Sequence, residues 1–481
     1  MPQGRLHQKA IASPFFPLRN GLTCIKPVTD RGRCVAQVRT APRTRANNPA
    51  MDFEHSPRAQ ALLRQLDQFL LTYVLPHNAA WHQAVQDGQY PPPFLEDLKT
   101  LAKEEGLWNL FLPGLRADEP GTRLANLDYA PLAEAMGKLS WAAEVFNCSA
   151  PDTGNMELLH RFATPSQRER WLMPLLHGEI RSAFAMSEPD VASSDPTNLQ
   201  TTVRREGNDL VLSGRKWFIT GVAHPACRLL IVMARNADGD DDASEDAHHQ
   251  HSMVLVPMGT PGLEVVRNIP VVHHHAPEGH CEIVLRQVRV PADHLLGDWG
   301  HGFAMAQARL GPGRVHHCMR TIGQCELALA LATERALERR SFGHHLADYA
   351  NVQEWIAHSR IEIDQARLLV LRCAWLLDHP EQAEPAAVRA QVAAIKVVAA
   401  GLQTRVVDRA MQVFGAMGLS PDTPLAQFWT WGRALHLLDG PDEVHLRSVA
   451  RHEFAQARER LGSLSAYFTT PEQMRTPPHL N

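Results

Sequence analysis

From Ser56 onward, apolar residues recur at the three-to-four spacing of an amphipathic helix: Leu62, Leu63, Leu66, Phe69, Leu70 and Tyr73. Ser56-Pro57 supplies an N-cap followed by Pro at the first helical position. Pro92-Pro93 opens a second helix that stops at Gly106, a third run covers Leu127 to Met136, and Thr164-Pro165 caps a fourth. Residues 52–180 are therefore expected to form a helical domain. The period then changes. Val211-Leu212, Leu229 to Met233, Met253 to Val256, Leu263 to Val266, Cys281 to Leu285 and Val288 to Val290 are short, β-branched and separated by turn residues, which predicts a middle β domain over 181–297. Helical spacing returns from Gly302. It runs over Ala306 to Leu337 (with Gly311-Pro312-Gly313 inside), Ala350 to Leu377 and Ala386 to Ser420, with a last helix after Pro441 and Glu443 to about Leu461. These predict a C-terminal helical bundle over 298–462, with a tail at 463–481. The fold class is α+β, with an N-terminal helical domain, a β-barrel-like middle domain and a C-terminal four-helix bundle.

Residues 1–50 carry nine Arg or Lys, one acid (Asp30) and neither period. The segment 1–51 reads either as a basic leader or as the product of a misplaced start, with Met51 the true one; the missing amphipathic stripe favours the second. A length of 481 residues suits about three domains. The net charge of −4 argues against a general nucleic-acid binder, and no apolar run reaches the ~18 residues of a membrane span. The eight Cys form no CxxC and read as reduced thiols in a cytoplasmic setting. His248, His249 and His251, and His273-His274-His275, read as solvated loops rather than metal tracts, so no metal is expected. No GxGxxG follows a strand and no Walker A sequence occurs, which excludes the usual dinucleotide and P-loop signatures.

The chemistry concentrates in a few stretches. Phe184-Ala185-Met186-Ser187-Glu188-Pro189-Asp190-Val191-Ala192-Ser193-Ser194-Asp195 begins apolar, then crowds hydroxyls, a Pro and three acids, without the pattern of a helix or a regular strand. Gly214-Arg215-Lys216-Trp217-Phe218-Ile219-Thr220-Gly221 is an aromatic run ending in a hydroxyl and a Gly. Two such segments can line a flat aromatic cofactor, or can be a strand, an acidic turn and a hairpin with no ligand. Together they resemble the flavin-binding core of the acyl-CoA dehydrogenase family. The order of helices, small β domain, helices matches that family, and the likeness extends over about residues 52–460. It is strongest to a subgroup whose eukaryotic members carry an N-terminal kinase-like domain. Two loop-like stretches of the first helical domain, Gly106 to Pro113 and Asn147 to Asn155, also resemble that subgroup.

The resemblance implies FAD, held by Phe184, Met186, Ser187, Ser193, Ser194, Phe218, Ile219 and Thr220. It implies a CoA and thioester contact at Arg309 to Arg320, through Gly311, Gly313 and Arg314, with Ser194 and Gly440 also at the substrate. Arg339, Ser341 and Phe342, then Gln412, Val413, Gly415 and Ala416, match segments that reach the flavin diphosphate and adenosine, often of a neighbouring subunit; Asp442 and Glu443 lie beside them. Ala350 stands where many relatives have Gln. Gly415 and Gly418 inside a helical pattern cost about 1 kcal/mol each relative to Ala, which suggests a close backbone approach. Leu438-Asp439-Gly440-Pro441-Asp442-Glu443 reads on its own as a helix start. The resemblance places Asp439 at the family's Glu base, one methylene shorter, while the family's other base position holds Gly313. Three neighbouring acids are expected to raise the pKa of Asp439. The implied reaction is dehydrogenation of an acyl-CoA to the 2-enoyl-CoA, the thioester carbonyl being held by a flavin hydroxyl and the Asp439 N–H. An electron-transferring flavoprotein would accept the electrons, and the protein would be a dimer or tetramer. The shorter base suggests branched, 4-hydroxylated or phosphorylated acyl chains. A flavin oxidase or monooxygenase of the nitroalkane oxidase kind, or a cofactor-free scaffold, are the alternatives.

Overall fold

Ser56 Oγ accepts the Ala59 N–H at 3.1 Å and so starts α1 (Pro57–Phe69) as an N-cap. This is a computed structural model, and it describes residues 54–237, 247–461, 464 and 467. The expected leader 1–51 lies outside the described residues, as does nearly all of the tail 463–481. After α1 come α2 (Asn78–Gln86), α3 (Phe94–Glu104), α4 (Asn126–Gly137), a single turn α5 (Ala142–Val145), α6 (Asp152–Phe162), a capped turn α7 (Pro165–Gln167) and α8 (Met173–His177). Thr164 and Gln167 cap α7 reciprocally, as the Thr-Pro signal predicts. Leu66, Phe69, Leu95, Leu98, Tyr129, Leu132 and Phe146 from these helices are buried in one core that continues into the C-terminal helices.

The middle of the chain forms a single sheet: β1 (Arg181–Ala185), β2 (Thr202–Glu206), β3 (Asp209–Thr220), β4 (Cys227–Asn236), β5 (His251–Pro257), β6 (Leu263–Asn268), β7 (His280–Pro291) and β8 (Leu295–Leu296). Its order is β6-β7-β3-β2-β4-β5-β8, with β1 parallel to β4. Phe184-Ala185 close β1, so the first chemistry-bearing stretch begins as a regular strand after all. The two runs expected at 281–285 and 288–290 are one strand. Gln287 stands at φ 51° where the pairing with β3 shifts register, and this bulge breaks the sequence pattern.

Beyond the sheet lie α9 (Gly302–Glu338), a small hairpin β9 (Arg340–Ser341) and β10 (His344–His345), α10 (Ala350–Asp378), α11 (Pro385–Phe414), α12 (Leu425–Leu435) and α13 (Asp442–Glu459). α9 runs unbroken through Gly311-Pro312-Gly313. α11 stops at Phe414, short of the expected Ser420. Gly415 takes φ 65°, and its N–H closes back on the Met411 and Gln412 carbonyls. Among the described residues α11 alone has the length and composition of a membrane span. It packs on α9, α10, α12 and α13 and buries Lys396 and Gln403, so its apolarity is that of a core helix.

Candidate active site

Lys216 is fully buried on β3 and donates to the Met186 carbonyl and to Glu188 Oε1, each at 2.8 Å. Glu188 also accepts the Gln200 and Thr201 N–H groups, at 2.7 and 2.9 Å. Ser193 Oγ accepts the Glu188 N–H at 2.8 Å, and the Trp217 N–H reaches the Ser187 carbonyl at 3.0 Å. The acidic turn is thus folded over one buried ammonium. Burial lowers the Lys216 pKa to about 8 against the pull of Glu188. Burial raises the Glu188 carboxyl, but Lys216 and the hydrogen bonds outweigh it and hold it below its ordinary value.

The same turn brings the two predicted segments side by side. β3 carries a register shift between Lys216 and Ile219, with Phe218 at φ 51°. This turns the Phe218 ring out of the sheet, 42% exposed and 4.9 Å from the Trp217 ring. Thr220 Oγ1 meets His280 Nδ1 at 2.9 Å, and the His280 ring edges Trp431 of α12 at 5.6 Å. Ile219 is buried in the sheet core, so it offers a ligand only its backbone. Ser193 spends its hydroxyl inside the turn, and Ser194 is exposed.

Asp439 lies on the loop between α12 and α13 at φ 54°, a left-handed conformation that Asp tolerates better than most residues. Its carbonyl accepts Arg314 Nε at 2.9 Å, and its Oδ2 lies 3.4 Å from His317 Nε2. Gly440 follows at φ 104°, where a Cβ would sit 3.1 Å from His445 Nε2. Arg309, one turn before Gly313, lays its guanidinium 4.1 Å over the Phe184 ring and donates to Asn155 Oδ1 at 2.8 Å. Arg309 therefore joins α9 to the shelf of the middle domain, and its charge acts on the Asp439 carboxyl. Ideal Cβ atoms at Gly311 and Gly313 would meet nothing within 4 Å, so α9 is open beside them.

The expected rise of the Asp439 pKa is overturned. Burial does push it up, but His317, Arg309, Arg314 and Lys396 outweigh that and hold the carboxyl below its ordinary value. The neighbouring acids do not act as repellers: Asp442 pairs with His436 Nδ1 at 2.5 Å, and Glu443 is exposed. Arg309 and His317 lie within the stretch Arg309 to Arg320 and Asn155 within Asn147 to Asn155, but the motifs assign none of them a separate role, and Lys396 lies outside every motif. Arg309, His317 and Arg320 recur at helical intervals along α9, and that stripe was the available signal.

The remaining predicted residues gather elsewhere. Arg339 is exposed at the end of α9, Phe342 is 95% exposed at φ 49° in the β9–β10 turn, and Tyr349 Oη donates to the Ser341 carbonyl. Arg335 lies 5.4 Å over Phe414, which brings the last turn of α9 to the end of α11. There Gln412, Gly415 and Ala416 are exposed, while Val413 is buried in the core. The close approach expected of Gly418 is to the chain's own Met411 backbone, 2.8 Å from an ideal Cβ, and Gly415 ends the helix rather than lying within it. Among the described residues no hydrogen bond or ring contact connects this end of the bundle to the Phe184–Thr220 shelf.

Buried titrating groups set a pH dependence. Burial is the first cause of the low pKa of His280, His317 and His445 (each about 4) and of His316 (about 3). These side chains are neutral when folded, so the unfolded chain takes up more protons below pH 6.5 and stability falls as pH drops toward 4. Burial raises Glu157 to about 8 and Glu278 to about 7, so those two cost stability as pH climbs from 4.5 through their folded values. Burial also lowers His82, His160, His274 and His294, so the histidines outnumber the two acids and the thermal midpoint is expected to fall steeply as pH drops from 6.5 toward 4. A midpoint flat between pH 4.5 and 6.5 contradicts this assignment.

A flat ring system fits the shelf: the Phe218 ring is turned outward by its bulge, and the Met186–Ser187 backbone is fixed beside it. Residues 56–179, 183–288 and 300–454 match the family models for the acyl-CoA dehydrogenase N-terminal, middle and C-terminal domains. A Mycobacterium tuberculosis relative, "Probable acyl-CoA dehydrogenase FadE2", is 51% identical over 413 residues, 85% of this chain and 98% of that one. Acyl-CoA dehydrogenase family member 10 of the mouse is 48% identical over 404 residues, 83% of this chain but 37% of that protein. A solved acyl-CoA dehydrogenase homologue from Mycobacterium abscessus superposes with TM-score 0.79 at 46% identity, covering 84% of this chain and 100% of that one.

Proposed function

The chain belongs to the acyl-CoA dehydrogenase family, and from that premise we propose that it dehydrogenates an acyl-CoA thioester to the 2-enoyl-CoA, with Asp439 as the base that takes the α-proton. The observation that carries this reading is the place of Arg309, whose guanidinium lies over the Phe184 ring of the flat-ring shelf and whose charge acts on the Asp439 carboxylate. FAD, when bound there, supplies the acceptor for the β-hydrogen as hydride. Phe184, Met186, Ser187, Phe218, Thr220 and the Ile219 backbone line its ring. Arg314 fixes the main chain of Asp439, and Gly440 lets that chain turn tightly against His445. Arg309 and Arg314 hold the carboxyl ionised, ready to accept a proton. The cations Arg309, Arg314 and Lys396 around one carboxylate favour acyl chains with a polar or anionic group, in line with the decorated chains that the resemblance suggests.

Arg339, Ser341, Phe342, Gln412, Gly415 and Ala416 serve the flavin of a second copy, in a homodimer or homotetramer, Asp442 and Glu443 serve the cofactor beside Asp439, and an electron-transferring flavoprotein takes the electrons. The 95% exposure of Phe342 supports an assembly that covers it. Anaerobic addition of straight, branched, 4-hydroxy and 4-phospho acyl-CoAs to the purified holoprotein is the test. At least one is expected to bleach the flavin within seconds and to yield the enoyl-CoA. Bleaching by none of them, or fast reoxidation by oxygen without an acceptor protein, contradicts the reading.

A further inference from the structure

We propose that His317 is a positioning residue for Asp439: its neutral ring, oriented by Arg320, presents Nε2–H toward Oδ2 and leaves Oδ1 to face the substrate. This rests on the reading of Asp439 as the base. Arg320 Nη2 lies 3.2 Å from His317 Nδ1, and His317 Nε2 lies 3.4 Å from Asp439 Oδ2. A guanidinium only donates, so Nδ1 must be the accepting nitrogen, and the ring proton is left on Nε2, on the side of the carboxylate. All three side chains hang from a fixed frame. His317 and Arg320 are three residues apart on α9, and the Asp439 main chain is held to the same helix by Arg314. A carboxylate with one oxygen and its backbone both anchored has little rotational freedom left. His316 next to it makes the contrast. It lies between the rings of Phe111 and Tyr129, at 5.9 and 5.0 Å, and serves packing.

The other charged groups at this pair are Arg309 and Arg314 on α9 and Lys396 on α11, with His445 and Asp442 of α13 behind them. All the cations stabilise the carboxylate and disfavour a second proton on His317. The ring is therefore expected to remain a hydrogen-bond donor throughout the reaction, not a proton carrier.

The test is the pH profile of anaerobic flavin reduction in holoenzyme variants, with FAD content and thermal midpoint recorded for each. H317L is expected to slow reduction about 10- to 100-fold at little changed KM and to move the acid limb upward by about one pH unit. H317Q, which keeps a donor and cannot ionise, is expected to recover most of the rate and the wild-type limb. R320M, which frees the tautomer, is expected to add a histidine-like ionisation between about pH 5 and 7. Wild-type rate and limb in H317L would overturn the proposal. Equal loss in H317Q and H317L, with flavin content and midpoint retained, would overturn it as well, by showing that the imidazole itself moves a proton. D439N is measured alongside. Full activity in D439N sinks the base assignment, whereas an inactive D439N beside an unaltered H317L sinks only the role of His317.

Discussion

Replacing Asp439 by Asn is expected to slow flavin reduction by acyl-CoA about 10²- to 10⁴-fold while leaving the yellow holoprotein intact. The substitution keeps the volume and the backbone, so Arg314 still holds the carbonyl at 439 and the loop before α13 keeps its course. What is lost is the lone pair that accepts the α-proton. Gly313, at the alternative base position in α9, has no side chain to replace it. Asp439 is not the basic carboxylate that its acidic neighbours suggest. Burial is opposed by Arg309, Arg314, Lys396 and the His317 ring, and the net direction is toward the ionised form. The acid limb of the rate profile is thus expected below the ordinary Asp range, and activity should fall only as pH drops through that lowered value. D439E adds a methylene that carries the carboxylate away from His317, and is expected to keep part of the rate. Stopped-flow absorbance at the flavin band, read with FAD content per chain, is the check. A D439N enzyme within about threefold of wild type would remove this residue from the chemistry.

The second large effect is expected in the fold of the shelf. K216M removes the single cation under the turn 186–188, where Glu188 is 3% exposed. Breaking a buried pair from one side leaves an uncompensated charge and costs about 3–5 kcal/mol. Here the loss also frees the Met186 carbonyl, which Lys216 holds at 2.8 Å. The variant is therefore expected to unfold at lower denaturant and to release FAD on gel filtration. Adding E188Q to K216M should recover part of the stability, because the orphaned carboxylate is then gone, although its bonds to the Gln200 and Thr201 N–H groups weaken. Wild-type stability and flavin retention in K216M would show that the pair does not hold the shelf.

The order of elements was legible because their borders are written in cap chemistry. Ser56-Pro57, Thr164-Pro165 and the Gly106 stop all stand where the helices begin and end. Bulges were not legible. The left-handed turns at Phe218 and Gln287 carry no glycine signal, since both residues fall at register shifts and are held by the paired residues on either side of them. β2 was missed because Thr202–Glu206 is mostly charged, and α12 because it is too short to show a period clearly. The motif around Asp439 could be found by resemblance, but its electrostatics could not. Nearness in sequence suggested repulsion from Asp442 and Glu443, whereas the fold sends Asp442 to His436 and brings Arg309, Arg314, His317 and Lys396 in from α9 and α11. Charges that are remote along the chain decide the sign, and only packing reveals them.

Removal of the α-proton can be watched apart from hydride transfer. An acyl-CoA with sulfur at the β-position has acidic α-hydrogens and no β-hydrogen to give, so the base can act and the redox step cannot follow. Incubation of the α-deuterated compound with holoenzyme in water, followed by mass spectrometry, is predicted to show rapid loss of deuterium with the wild type and roughly a hundredfold or more slower loss with D439N. Equal washout from both proteins would contradict the central claim that the carboxylate at 439 takes the proton.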